Sequence, residues 1–361
     1  MKRRGASTPV TIGAVIIAFV IGLGVMYTAA PSLIAPSTTT SGSKSPLVLG
    51  FIGRLAVPYW IVQEAGFKAA AAKYGFVPQL YEPPQLETLD QINTLNTYAA
   101  EGFAGIVISP NDPQAPISAI NTVVNQGIPV ITSGTDSPNS SRLAFIGYSP
   151  QQLGAYAANE MIYWIKQNNG GSLPSGWAVT WSEGSLASTE DVASLNTFNQ
   201  TITAAGGTVI PPLLDGGSAA TAESLAATAI AKYSSTLYGM YGFYDYTGPA
   251  ISQAVNSTSP PHKITVIGTG LISGDLPYMQ KGVMQGVVDL NEYEQGYLSG
   301  QLLYQLATSG GKSNWNTVLS HFISGYPADT NYLVNLQFIA GANLTSYQNN
   351  YPAVWSIITG S

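Results

Sequence analysis

Residues 47–75 pass from a short apolar run, through a loop, into a helical apolar rhythm. The run 47–52 is almost wholly apolar and ends at Gly53, which predicts a buried strand. Ile61, Ala65, Ala69 and Ala72 then recur at helical spacing. Pro58 suits the first turn, where its missing N–H has no intrahelical partner, and Gly75 stops the helix. The same alternation continues, with strands predicted at 76–81, 105–109, 128–132 and 145–147 and helices over 86–101 and 113–126. A second run of the same kind follows. It has helices over 151–166, 191–204, 219–232 and after Pro249, with strands at 177–181, 208–213, 237–241 and 264–268. Strands alternating with helices imply parallel sheets with right-handed crossovers. One sheet rarely absorbs so many units, and composition does not break between the halves. The prediction is an α/β fold of two doubly wound parallel-sheet lobes with a cleft between them.

The start of the chain has another pattern. Lys2, Arg3 and Arg4 precede an apolar run over 10–27, close to the ~20 residues that span a bilayer. Residues 1–30 read as an N-terminal hydrophobic helix that is an export signal or a membrane anchor, with the basic flank cytoplasmic. The motif Lys-Arg-Arg-Gly-Ala resembles the class III, pilin-like leaders of archaeal binding proteins. Cleavage near Gly5 or Ala6 would leave the apolar run on the mature chain. Residues 31–46 read as a Ser/Thr-rich linker. Sequons at Asn139, Asn199, Asn256 and Asn343 agree with an outside location without requiring one.

Composition narrows the function. Hydrophobic residues make up 45% of the 361 and charged residues 9%, against about 25% charged in an average soluble protein. Acids outnumber bases 19 to 13, so a nucleic-acid partner has nothing to hold. Cysteine is absent, which excludes disulfides and thiolate metal sites. His262 and His321 lie far apart and show no ligand spacing, so no metal is expected. No cofactor is expected either. So few carboxylates predict a melting temperature nearly flat from neutral pH to about pH 3.

The loop after the first strand carries Arg54, Tyr59 and Trp60. Such a turn lies at the carboxyl edge of an α/β sheet, where ligands bind. Two aromatics beside one cation suit a flat, hydroxyl-rich molecule such as a sugar. Seven segments, in order, are GFIGRLAVPYW, EGFAGIVISPNDPQA, QGIPVIT, FIGYSPQQLGAYAANEM, YGFYDYTGPAISQA, ITVIGTG and GVVDLNEYEQGYLSGQLL. Together they resemble the type I periplasmic sugar-binding proteins, the ribose-binding and furanosyl-signal-binding group, over residues 47–307. The resemblance implies a three-strand hinge, with crossings near 146–149, 289–291 and 321–325. The lobes would then be 47–148 plus 290–321 and 149–289 plus 322–361, with Trp355 packed in the second.

The resemblance also implies the ligand contacts. Tyr59 and Trp60 occupy the places of the stacking aromatics, and Arg54 that of a lysine which donates to the sugar. Ser109 ends a strand at the cleft, while Asp112 suits an N-cap. The family's aspartate after the fourth strand is replaced by Gly134, with Asp136 two residues on. In the second lobe Glu190 or Asp191 stands where an arginine or an Asp–Gln pair is common, and both also suit a helix first turn. Asp245 matches the family's strand-end aspartate or asparagine position to within a residue, with Tyr244 and Tyr246 beside it as candidate walls. Thr269 and Gly270 stand where sugar binders keep an aspartate. Asp289 and Asn291 lie near the final amide contact.

The reading is a monomeric, extracellular solute-binding protein that delivers a pentose or hexose to an ABC permease. A sensory sugar receptor for a signalling partner is the alternative. A secreted carbohydrate hydrolase is a third, opposed by the lack of a paired-carboxylate motif or a G-x-S-x-G elbow.

Overall fold

The computed structural model describes residues 46–186 and 188–360. The leader, apolar run and linker lie outside the described residues. Among the described residues no helix is long and apolar enough to cross a membrane.

The chain begins with β1 (Val48–Ile52), α1 (Pro58–Tyr74), β2 (Val77–Tyr81), α2 (Thr88–Ala100) and β3 (Gly105–Ile108). Then come α3 (Ile117–Asn125), β4 (Val130–Ser133) and β5 (Phe145–Gly147). Pro58 does open α1, and Gly75 ends it at φ 77°. The second lobe runs through α4 (Pro150–Asn168), β6 (Ala178–Glu183), α5 (Thr189–Ala204), β7 (Thr208–Val209), β8 (Leu213–Leu214) and α6 (Ala219–Lys232). It continues with β9 (Leu237–Gly242), α7 (Thr247–Thr258), β10 (Thr265–Thr269), α8 (Leu276–Gln280) and β11 (Met284–Asp289). The strand expected over 208–213 is two short pieces, because Pro211 and Pro212 remove consecutive ladder donors. The chain then returns through α9 (Glu292–Thr308), α10 (Trp315–Phe322) and β12 (Asn331–Leu333), and closes with β13 (Gln337–Ala340), α11 (Leu344–Asn350) and α12 (Pro352–Thr359).

The first sheet has the order β12-β5-β4-β3-β1-β2 and the second β13-β11-β10-β9-β6-β7. Every pairing is parallel except β11 with β13. Crossings at 148–149 and 290–291 fall where the sequence puts them. The third does not. β12 pairs in parallel with β5 of the first sheet, so the chain crosses at 334–336 rather than at 321–325. The first lobe therefore keeps residues up to 333. The sequence concealed this because β12 is three residues long and half-exposed.

The first lobe buries Leu49, Phe51, Phe67, Leu95, Ile106 and Ile131 around its sheet. The second has an apolar cluster on each sheet face, and Trp355 packs against one of them. Helices α1 and α9 approach until backbones touch. A Cβ at Gly66 would lie 2.0 Å from Tyr293 O, and one at Gly296 would lie 1.7 Å from Gln63 O. That contact fixes α1, whose first turn carries Tyr59 and follows the loop holding Arg54.

Candidate functional site

Parallel strands deliver their carboxyl ends to one edge of each sheet, and the two edges meet at the crossings. Gln91 ties the first edge together. Its Nε2 donates to Gly53 O at 2.7 Å and Ser109 O at 2.9 Å, and its Oε1 accepts from Asn111 N at 2.9 Å. Asn111 Oδ1 then accepts from Arg54 Nε at 3.2 Å. The guanidinium lies 5.5 Å over the Trp60 ring, within cation–π range. Burial draws the Arg54 pKa below its ordinary value, and Tyr59, Tyr148, Tyr244 and Glu190 act in the opposite direction. Those four come from α1, a crossing segment and the second lobe, so Arg54 faces across the cleft.

Tyr59 meets Trp60 edge-on at 4.5 Å and leans against an apolar cluster of the second lobe. Its hydroxyl is hydrogen-bonded with Gln295, and burial with Glu292 nearby raises its pKa. Trp60 is only 8% exposed. A Cβ at Gly134, where φ is +71°, would lie 2.8 Å from its ring. The indole therefore fills the place of the carboxylate missing at Gly134. Trp60 backs the wall, and the ring that borders the cleft is Tyr59.

The facing wall is acidic. Ser188 caps α5 by accepting from Asp191 N at 3.3 Å. Asp191 Oδ2 accepts from Tyr244 Oη at 2.8 Å. Tyr244 stacks on Tyr246 at 6.0 Å, and Tyr246 Oη donates to Asp215 Oδ1 at 2.6 Å. Behind them, buried Glu183 accepts from Trp181 Nε1 at 2.6 Å through Oε2, while Oε1 has no partner. Burial pushes Glu183 up to about 7, with Asp191 and Asp215 adding to the rise. Asp191 and Asp245 are raised too, chiefly by burial. A cavity of about 220 Å³ opens beside this wall, between Gly134 and Asp136 of the first lobe and Tyr148, Ser149 and Glu190.

Arg54, Tyr59, Glu190, Asp191 and Tyr244 thus come together. Four other candidates are engaged elsewhere. Ser109 is fully buried and its Oγ donates to Gln63 Oε1 at 3.3 Å. Both Asp136 oxygens are held by Arg142, at 2.6 and 2.7 Å, and Oδ1 also accepts from Thr132 and Ser137 N. Arg142 in turn donates to Thr330 and Asn331 next to β12. Asp136 is therefore a strut of the first lobe rather than a free acceptor. Asn291 sits at φ 54° and bonds to Asn335 O and Gln337. Asp289 accepts from Asn291 N at 2.9 Å and Gln337 Nε2 at 2.6 Å. Both brace the crossings. Asp112 forms a turn, accepting from Gln114 N and Ala115 N.

Sequence reasoning missed Tyr148, Glu183, Asp215 and Glu292, whereas Tyr246 is expected there as a wall beside Tyr244. Tyr148 stands in a quoted segment, FIGYSP, and a ring at a lobe crossing was a usable signal. Glu183 reads as an ordinary strand end, and only the fold shows that it is buried.

A family model described as a periplasmic binding protein domain matches residues 52–313. Curated protein sequences give no match. Among similar solved structures is AraP, an arabinose-binding protein from Geobacillus stearothermophilus, at 19% identity and TM-score 0.71, covering 84% of this chain and 99% of that one. A sugar ABC transporter sugar-binding protein from Bacillus halodurans has 20% identity and TM-score 0.72, with 83% and 99% covered. An ABC transporter solute-binding protein from Burkholderia graminis, solved with D-arabinose, has 22% identity and TM-score 0.66, with 83% and 97% covered. The family match takes in both sheet edges and the first two crossings, and this chain belongs to the periplasmic binding protein domain family.

Proposed function

We propose that the protein is an exported solute-binding protein that captures a monosaccharide, a pentose or hexose, between its lobes and presents it to an ABC importer. The observation that carries this reading is the convergence on Arg54. A fixed donor and the Tyr59 ring from one lobe face Asp191, Glu190 and Tyr244 from the other. Carboxylates accept from sugar hydroxyls, the guanidinium donates to ring or hydroxyl oxygens, and aromatic rings cover the C–H faces. Closure of the two lobes around the sugar would create the surface that the permease reads. The similar arabinose- and sugar-binding structures support the same ligand class. In this reading residues 1–30 hold the protein, as a monomer, at the outer face of the membrane.

The test is a panel of D-arabinose, L-arabinose, D-xylose, D-ribose, D-glucose and D-galactose. Thermal shift and calorimetry should report one saturable site, and chromatography should recover the sugar unchanged. Turnover of any of them, or no binding across the panel, contradicts the reading.

A further inference from the structure

Gly270 leaves the wall of the cleft bare at the end of β10. Its φ is +68°, and a Cβ built there would meet only Glu292 Oε1 at 3.7 Å and Asp245 Cβ at 4.0 Å. This is the position at which the sequence lacks a carboxylate. Glu292 reaches it from elsewhere, as the first residue of α9, immediately after the crossing from the second lobe to the first. It is 6% exposed, and its surroundings belong to both lobes. Tyr59 approaches from α1, Asp245 from the end of β9, and Asp289 from β11.

A glutamate in a first turn commonly serves the helix dipole from solvent. Glu294, in the same turn, is exposed and suits that task. Glu292 is buried, where a carboxyl group is costly to strip of water unless something bonds to it. Its neighbour Asp289, held within the hinge by Asn291 N and Gln337, also hydrogen-bonds the Glu292 carboxyl, as does the Glu292 backbone N–H, and the carboxyl still has acceptor sites for a ligand. Burial, with Asp289 alongside, holds Glu292 well above the usual carboxylate range.

We propose that Glu292 is a ligand-contacting, specificity-determining residue, whose carboxyl group bonds a sugar hydroxyl in the space over Gly270. The acid missing from the end of β10 is thereby supplied from α9. With Asp245 and Asp289 beside it, this end of the cleft favours neutral aldoses and repels sugar acids. The inference rests on the monosaccharide reading and deepens it.

The test is calorimetry on the full chain, as wild type, Glu292→Gln and Glu292→Ala, against the six aldoses, D-galacturonate and the monodeoxy analogues of whichever aldose binds best. Both variants should weaken the best aldose by ~10- to 100-fold. The melting temperature without sugar should hold or rise, because a buried acid has been removed. One deoxy analogue should bind poorly to wild type, yet lose nothing further in the variants. D-galacturonate should not bind wild type. Glu292→Gln is nearly isosteric and decides the matter if Glu292→Ala does not fold. Aldose affinities within twofold of wild type in both variants would overturn the role of Glu292. So would a wild type that prefers D-galacturonate. A wild type that binds none of the sugars would overturn the monosaccharide reading itself, and this role with it.

Discussion

The two jaws of the cleft solve the same problem with different chemistry. In the first lobe, buried polar positions behind the wall are mainly neutral amides. Gln63 donates to Gln295 Oε1 at 3.0 Å, Gln295 donates to Leu290 O at 2.8 Å, and Gln91 stitches β1 to β3. An amide both donates and accepts, so such a network satisfies itself and fixes Arg54 without titrating. In the second lobe the corresponding layer is made of carboxylates restrained by rings: Glu183 by Trp181, Asp191 by Tyr244 and Asp215 by Tyr246. Carboxylates held by burial and neutral donors change charge with pH, and burial raises both Glu183 and Asp191. The first jaw is thus a rigid donor, the second a tunable acceptor.

The largest effect should come from packing in the first jaw. Gly134→Ala combines a left-handed backbone with a Cβ 2.8 Å from Trp60, and should cost about 3 kcal/mol of stability. Chemical denaturation measures it, and a loss below about 1 kcal/mol would mean that Trp60 yields easily and that this jaw is not rigid. Next, Arg54→Ala should weaken the best aldose by ~100-fold while leaving the fold intact. Arg54→Lys should recover only part, since the bond to Asn111 Oδ1 uses the guanidinium edge. Full activity in Arg54→Ala would move the donor role elsewhere.

Asp136→Asn sharpens the same comparison. Loosening the pairing with Arg142 should cost about 2 kcal/mol of stability and change aldose affinity by less than about threefold. The reverse pattern, a stable protein with lost affinity, would return Asp136 to the ligand.

The smallest effect is that of pH, and the structure reverses its shape. Low charge alone predicts a flat melting curve, but the buried acids do not behave as an average. Glu183 titrates near 7 in the folded chain and near ~4.3 when unfolded. The folded state therefore holds more protons between those values. Stability from this group is complete below about 4.3 and is lost as pH rises toward 7. Glu82 in the first lobe is raised as well, by burial and by Glu64, and contributes with the same sign. The melting temperature should be higher at pH 5 than at pH 7.5 by roughly 5 °C. Glu183→Gln should remove most of the second lobe's share, and an unchanged slope in that variant would show that its acids are not the source.

The fold was legible because its signals are local. Pro58 and Gly75 bracket α1, Ser149 and Ser188 cap α4 and α5, and buried strands such as Ile106–Ile108 read as apolar runs. The grouping of candidates was legible where the turn after a strand carries its own chemistry, and the fold brings Arg54, Tyr59, Asp191 and Tyr244 to one cleft. It failed where a side chain's partner comes from elsewhere in the chain. Asp136 looks free until Arg142 folds back on it and bonds to residues by β12. Trp60 looks like a stacking face until Gly134 comes to rest against it. Glu292 looks like a solvated helix start, because only the crossing carries it under both lobes.

The central claim is that opposed jaws grip one polyhydroxylated ring. The direct measurement is a crystal structure of the chain with the best-binding aldose. The account predicts the sugar against Tyr59, with Arg54 donating from one side, and Asp191 or Glu190 accepting from the other. A bound sugar outside the interlobe cleft, or one in it beyond reach of both Arg54 and Tyr59, would contradict it.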